Sequence, residues 1–445
     1  MKSQGQGDKP PLSVGEKIRM LREHKGMTMD DFCEALGIRA KRVRCAEAGI
    51  ENYSADQLDA IVKYFKIEGM PLTEHECEVS KERLYRWRNL LRAGIMDEAH
   101  TIRDEMADMV NLEPCDPDLA ILYKMFDALT YIVDEEFAVA ARKLSLSYDY
   151  VSKMNNENRY YYYYNKGLLS THYHKRLEDA VVFFQKARDL VLKHRALLPD
   201  NVGRLEYNIA YCYSSLEMPY RAIAYLQACR EVYVEDIRKN LELHIDVKLA
   251  YNCIHVDDLS AAQILLDKCL VKAKSIKSNP NIGYVMYCYG LLNIKTGNWA
   301  TAIDYLDQAI ELYEKYTDHY YYAYYYRIYC IARIRKFSLA KKETEAIMET
   351  CGTDEKWPIL FESMLHLIQI RGSMTRLNYE SIDFIQNITI PHCKKHREYY
   401  FAIDYCKLLL EHFKRSRSTI NSLHMGELYS GLLERCFLKN DIGVK

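Results

Sequence analysis

Four times in this chain a small residue is followed by alanine 12 positions on, by leucine 4 further and by a small or apolar residue 3 beyond that. The instances are Ala128, Ala140, Leu144 and Ser147; Ala210, Ala222, Leu226 and Cys229; Ala250, Ala262, Leu266 and Cys269; and Gly290, Ala302, Leu306 and Ala309. Two helices packed antiparallel at close range admit only small side chains where their axes approach, and this spacing puts such residues opposite one another. Fainter copies occur at Gly167, Ala180, Phe184 and Ala187, and at Ile328 and Ala340. Copies lie about 40 residues apart. Each therefore reads as one helical hairpin, and such hairpins bury their apolar faces only by stacking on neighbours. The chain is expected to be all-α, with a solenoid of about seven to nine hairpins over residues 81–445. Trp87 to Met106 is the candidate first hairpin, and the segments after Lys356 read as degenerate copies or a cap.

The pattern resembles the tetratricopeptide repeat, whose usual unit is about 34 residues. That resemblance implies a right-handed superhelix with a concave wall lined by the first helix of each pair. The wall positions lie 6, 3 and 2 residues before the small residue and 1, 4 and 5 after it, which here gives Arg204, Tyr207, Asn208 and Tyr211; His244, Lys248, Tyr251 and His255; Tyr284, Tyr287 and Lys295; and Tyr322, Tyr325, Tyr329 and Arg333. The copy at Gly167, whose glycine-to-alanine interval is one residue longer, adds Tyr164 and Asn165. Such a wall suits an extended peptide. Asparagine offers donor and acceptor to a main-chain amide, tyrosine gives broad contact at low entropy cost, and arginine or lysine can hold a carboxylate. Most of the 38 tyrosines, including the runs Tyr160–Tyr164 and Tyr320–Tyr326, pack between helices on this reading, since five in a row cannot all face one groove.

The N-terminal region follows a different rule. In Met29–Gly49 the residues Phe32, Cys33 and Leu36 form one apolar stripe, Gly37 supplies a sharp turn, and Ile38, Val43 and Ala46 resume a helical period. Arg39, Lys41, Arg42 and Arg44 place four cations in six residues with no acid among them. A basic helix face alone is usually just solvated, but a basic face following a turn of this kind points to DNA. Helices are expected over Val14–His24, capped by Ser13, and over Ala55–Phe65, capped by Ser54, with Thr28 capping the helix that starts at Met29. Residues 13–68 resemble the Xre or Cro/C1 type of helix-turn-helix domain, with Glu47 and Gly49 at the end of the third helix. The resemblance places Ala40, Lys41, Arg44 and Cys45 nearest to base edges and Arg39 and Arg42 on phosphates, with Thr28 at the start of the second helix. Met29 stands where the family usually has Gln, and Arg39 where it commonly has Ser or Thr. Members bind paired half-sites as homodimers. Residues 1–12 read as a disordered tail, and 69–80 as a linker carrying Gly69, Pro71 and several glutamates.

Bulk properties exclude several classes. Lys+Arg 61 against Asp+Glu 62 leaves no general excess of cations, so any DNA contact comes from a local patch. The 14 cysteines include no C-x-x-C pair, which suits a reducing cytoplasm. No run of about 18 apolar residues occurs, and the first 12 residues carry no apolar export core. Neither export nor membrane insertion is expected. No phosphate-binding loop, G-x-S-x-G elbow or H-E-x-x-H is present, so no catalytic residues, cofactor or enzyme activity are assigned. His392, Cys393 and His396 have no second ligand pair nearby and are not read as a metal site.

An Xre-type domain followed by a tetratricopeptide-like solenoid resembles the RRNPP class of cytoplasmic quorum-sensing regulators of Gram-positive bacteria and their phages. Asn208 in YNIAY and Asn165 in YYYYNKG stand where that class places amides that grip the peptide backbone. The resemblance implies a transcription regulator that binds double-stranded operator DNA, dimerises through its solenoid and is switched by a short signalling peptide. A second reading stays open: a protein-interaction effector, such as a response-regulator phosphatase or scaffold, in which DNA binding is secondary.

Overall fold

The computed structural model describes residues 12–67, 71–114, 116–194, 202–232, 239–372 and 379–437. They are helical, with no strand among them, and divide into two compact units, Met1–Pro199 and Asp200–Lys445. Of the tail expected over residues 1–12, only Leu12 falls among the described residues.

The first unit begins with four short helices: α1 (Val14–His24), α2 (Met29–Leu36), α3 (Ala40–Glu47) and α4 (Ala55–Phe65). Ser13, Thr28 and Ser54 each accept from the backbone N–H three residues on, while the side chain there reaches back, a reciprocal capping box in all three cases. Gly37 takes φ 65° at the end of α2, which turns the chain into the basic helix. Three hairpins follow: α5 (Glu74–Ala93) with α6 (Met96–Glu105), α7 (Pro117–Val133) with α8 (Phe137–Ser145), and α9 (Asn156–His172) with α10 (Leu177–Lys193). The start of α5 corrects the expected linker. Thr73 and Glu76 form another capping box, so the glutamates read as loop occupy a helix's first turn, where the dipole favours them.

The second unit continues with α11 (Val202–Ser215) and α12 (Pro219–Val232), α13 (Lys239–His255) and α14 (Leu259–Ser275), α15 (Asn279–Thr296) and α16 (Trp299–Leu312), and α17 (Asp318–Arg333) and α18 (Phe337–Met348). Then α19 (Trp357–Gly372) packs on α20 (Tyr379–Phe384), which passes through a π turn over Ile385–Thr389 into α21 (Ile390–Lys395). A last hairpin joins α22 (Tyr399–Arg415) and α23 (Thr419–Phe437).

Glycine shows why the repeat has its spacing. A Cβ on Gly167 would stand 2.5 Å from the Phe184 ring, and one on Gly290 would stand 2.7 Å from Leu306. The small residue of each first helix is thus pressed against the large apolar residue of its partner. Ala128, Ala140, Ala210, Ala222, Ala250, Ala262 and Ala302 are likewise fully buried. Gly290→Val should lower unfolding free energy by about 1–3 kcal/mol through overpacking at this crossing, read as a lower denaturation midpoint of the whole chain.

Candidate functional site

In the head, α1 and α3 are locked together by a buried ion pair. Arg22 donates from Nε and Nη2 to the two oxygens of Glu47 at 2.8 and 2.9 Å, and from Nη1 to the Met27 carbonyl at 2.8 Å. Both side chains are buried, and the Glu47 contact is the main reason the Arg22 pKa is raised. Gly15 permits the approach, because a Cβ there would stand 1.7 Å from the Ala46 carbonyl oxygen. With Val43, Ala46 and Glu47 turned inward, Lys41 and Arg44 are left exposed on the outer side of α3 and Ala40 and Cys45 half-buried beside them. Arg39 is the exposed N-cap residue, and Thr28 is exposed with its hydroxyl donating to Asp31. Arg42 is engaged within the head, pairing with Glu51 and donating to the Asn52 carbonyl at 2.5 Å. The head is also tied to the first hairpins of its unit. The buried Lys17 ammonium lies 2.9 Å from both Asp116, the N-cap of α7, and the Cys77 sulfur of α5.

In the second unit, the wall positions of α11, α13, α15 and α17 form one continuous surface. The Lys248 ammonium donates to the Tyr284 hydroxyl at 3.1 Å and lies over the rings of Tyr284, Tyr211 and Tyr251 at 4.8, 5.7 and 5.9 Å. Tyr251 stacks towards Tyr284 at 6.3 Å, Tyr284 towards Tyr287 at 6.1 Å, and Tyr287 meets Tyr326 at 6.2 Å. Arg204, Tyr207 and Asn208 stand half-buried on α11, and the Asn208 amide nitrogen is enclosed without a hydrogen-bond partner. His244 is exposed, yet burial and the Lys248 charge both lower its pKa. His319, outside the repeat register, meets Tyr284 at 5.8 Å and joins the same surface.

Three expected peptide contacts lie elsewhere. Asn165 is fully buried in the first unit, where its amide donates to the Met125 carbonyl of α7 at 2.8 Å and ties neighbouring hairpins. Tyr164 is buried beside it, against Tyr160 and Phe184. Tyr325 is covered by the chain's own C-terminal hairpin, with its hydroxyl on that of Tyr405 at 2.7 Å and Phe401 over its ring at 4.3 Å.

This cover on the far end of the wall comes from the segments after Lys356, which read in the sequence as degenerate copies or a cap. Tyr400 stacks on His255 at 3.8 Å and 7°, and its backbone N–H donates to the buried Glu217 carboxylate at 2.5 Å. Phe401 lies on Tyr322, Tyr325 and Tyr326, while Glu398 meets Tyr322 and, at 3.3 Å, Lys356. Burial and the facing Glu398 carboxyl push the Glu217 pKa well up, and burial lowers that of His255 to about 3.

Other chemistry is sparse. No group of three or more potential metal ligands occurs among the described residues; the His392 and His396 rings meet at 4.4 Å, tilted by 39°, and His392 bonds the Lys356 carbonyl at 3.1 Å. The described cysteines are free thiols. No described helix is long and apolar enough to cross a membrane.

No protein-family model and no curated protein matches the sequence. Solved structures do match. The apo form of the quorum sensor NprR from B. thuringiensis aligns at TM-score 0.62 and 17% identity, over 80% of this chain and 99% of that one. NprR in complex with its cognate peptide NprX gives 0.61 and 18%, over 79% and 99%. A Rap protein complexed with competence and sporulation factor gives 0.61 and 15%, over 81% and 99%. The chain has the fold of the NprR and Rap repeat proteins. The resemblance read in its repeats holds at that level, and identities this low carry over the fold alone.

Glu47→Ala should cost the head about 3–5 kcal/mol by stranding the buried Arg22 charge; limited proteolysis should then cut within residues 13–67 while the solenoid resists. Glu217 has a folded-state pKa raised above its unfolded value, so its contribution to stability is full below the unfolded pKa and is lost as pH rises through the folded one. Thermal midpoints should therefore fall as pH rises from the ordinary carboxylate range towards the raised folded-state pKa, and Glu217→Gln should flatten that slope.

Proposed function

We propose that this chain is a peptide-gated transcription regulator of the RRNPP class, which binds operator DNA through α3 and is switched by a short peptide held on the wall of its solenoid. The supporting observation is that wall residues picked by repeat register, Tyr211, Lys248, Tyr251, Tyr284 and Tyr287, form one aromatic and cationic cluster across three successive hairpins. The capped head, with its exposed Lys41 and Arg44 on a rigidly held helix, supports the DNA half. The printed descriptions of similar structures, a quorum sensor with its cognate peptide and a Rap protein with a signalling factor, support the peptide half. Operator binding is by a homodimer, as paired half-sites require. The protein acts in the cytoplasm, where both ligands are found.

Switching is a linkage: a peptide that favours one arrangement of the solenoid shifts DNA affinity, and coupling of about 1–3 kcal/mol is enough. The head's bond to α5 and α7 through Lys17, Cys77 and Asp116 supports such coupling, because the first hairpins cannot rearrange without disturbing it.

DNA capture from the source genome with the purified chain, repeated with peptides from short reading frames beside the gene, tests the proposal. One palindromic site whose occupancy changes with one peptide is the expected result. Weak, salt-sensitive and sequence-indifferent binding would defeat the regulator reading and favour the protein-interaction effector. Arg44→Ala should weaken operator binding by about 1–3 kcal/mol and relax sequence preference while sparing peptide binding. Asn208→Ala should do the reverse, weakening the peptide and leaving peptide-free DNA affinity intact.

A further inference from the structure

We infer that the wall around Lys248 is an anion subsite that takes a carboxylate of the bound peptide, its C-terminal group or an acidic side chain. The inference rests on the peptide-receptor reading and adds the chemistry the ligand must carry. Lys248 differs from the lysines of this unit that reach a carboxylate. Lys268 pairs with Glu242 and Asp246, Lys272 with Glu242, Lys295 with Asp257, and Lys356 with Asp318 and Glu398. Lys248 has no carboxylate within ion-pair distance among the described residues, although it is half-buried between α11, α13 and α15.

Its surroundings supply donors. The ammonium has three N–H bonds and spends one on the Tyr284 hydroxyl. Having accepted that bond, the Tyr284 hydroxyl still has its own O–H to donate. The Asn208 amide nitrogen on the neighbouring helix is enclosed and unpartnered. The other ionisable groups near Lys248, besides the tyrosines, include His244 and His319, whose pKa values burial and the Lys248 charge both lower, and the buried Cys288 thiol, whose pKa burial raises. The closest acid to His319, Asp318, is committed to Lys356 at 3.0 Å and to the Trp357 indole at 2.7 Å. Ring faces stabilise a cation but leave its remaining N–H bonds unmet. A carboxylate meets them, pairs the charge and sits between flat tyrosine faces that exclude water. An amine or guanidinium at this point would face a like charge and no acceptor.

Burial lowers the Lys248 pKa, as a cation stripped of water without a counter-charge requires. A bound carboxylate reverses that, so ligand binding and protonation of Lys248 support one another.

The test uses the full chain with two mixed-sequence heptapeptide pools, one with free C-termini and one C-terminally amidated. Retained peptides are identified by mass spectrometry after gel filtration and their affinities measured singly. Wild-type chain should retain peptides bearing a free C-terminus, or an Asp or Glu where the end is amidated. Lys248→Met should weaken them about 10-fold or more, the usual scale for a charge-assisted hydrogen bond, and Lys248→Arg should restore most of the affinity. Amidating a retained peptide, and separately changing its Asp to Asn or Glu to Gln, shows which carboxylate is held. Thermal midpoints at or above wild type would show that Lys248→Met is folded. Equal affinity for peptides with no carboxylate, or unchanged affinity in folded Lys248→Met, would overturn the subsite while leaving a peptide receptor. Retention of no peptide by wild-type chain would overturn the peptide reading itself, and the subsite with it.

Discussion

Each hairpin depends on one contact, a residue with little or no side chain in the first helix pressed against a large one in the second. Gly167 against Phe184 and Gly290 against Leu306 show its tightness, since neither site has room for a Cβ. The close crossing fixes the rotation of both helices about their axes. With rotation fixed, every other position in the first helix has an assigned direction. That is why a rule counted from the small residue picked out Tyr211, Lys248, Tyr251 and Tyr284, which touch one another across three helices.

Legibility in the sequence followed the same logic. Helix ends in the head were readable because Ser13, Thr28 and Ser54 cap through local hydrogen bonds that need no knowledge of the rest of the chain. The hairpins were readable because their contact repeats. Two features were not. The turns between paired helices hold Glu135, Lys175, Glu217, Asp257, Arg335 and Arg417 at positive φ, a conformation that sequence normally announces with glycine, and among these turns glycine announces it at Gly94 and Gly297. The strain there, of order 1 kcal/mol per residue, is offset by packing on both sides of each turn. The placement of α22 also has no local signature, because Tyr400 meets His255 and Glu217 across separations of more than a hundred residues.

Asn165 marks the limit of register arguments. An asparagine two residues before a wall position's neighbour can turn its amide to a ligand or to the hairpin behind it, and sequence does not distinguish the two. The interhelical option is taken twice in the first unit, at intervals of 40 residues: Asn158 donates to the Asp118 carbonyl and Asn165 to that of Met125, both at 2.8 Å. Asn252 does similar work in the second unit, donating to Ser214 at 3.1 Å and to the Lys248 carbonyl at 2.7 Å. Asn208 differs from all three in having its amide nitrogen enclosed and unpartnered. Burying such a donor costs about 1–3 kcal/mol, which a ligand carbonyl would recover.

The covered and uncovered parts of the wall differ in the same way. Under α22, several polar groups are paired, Glu398 with Lys356 and Tyr322, Glu217 with the Tyr400 amide and Tyr325 with Tyr405, while the His255 Nε2 and the Tyr400 hydroxyl stay unpartnered in a stacked pair. Around Lys248 and Asn208, donors outnumber acceptors and no segment of the described chain completes them. A protein interior tolerates an unmet donor poorly, and the Lys248 ammonium and the Asn208 amide are such donors on the wall left uncovered by α22. A peptide supplies what that place lacks, main-chain carbonyls for the amide and a carboxylate for the ammonium. Affinity would then come from groups the free protein already holds in position, without new ordering of the wall.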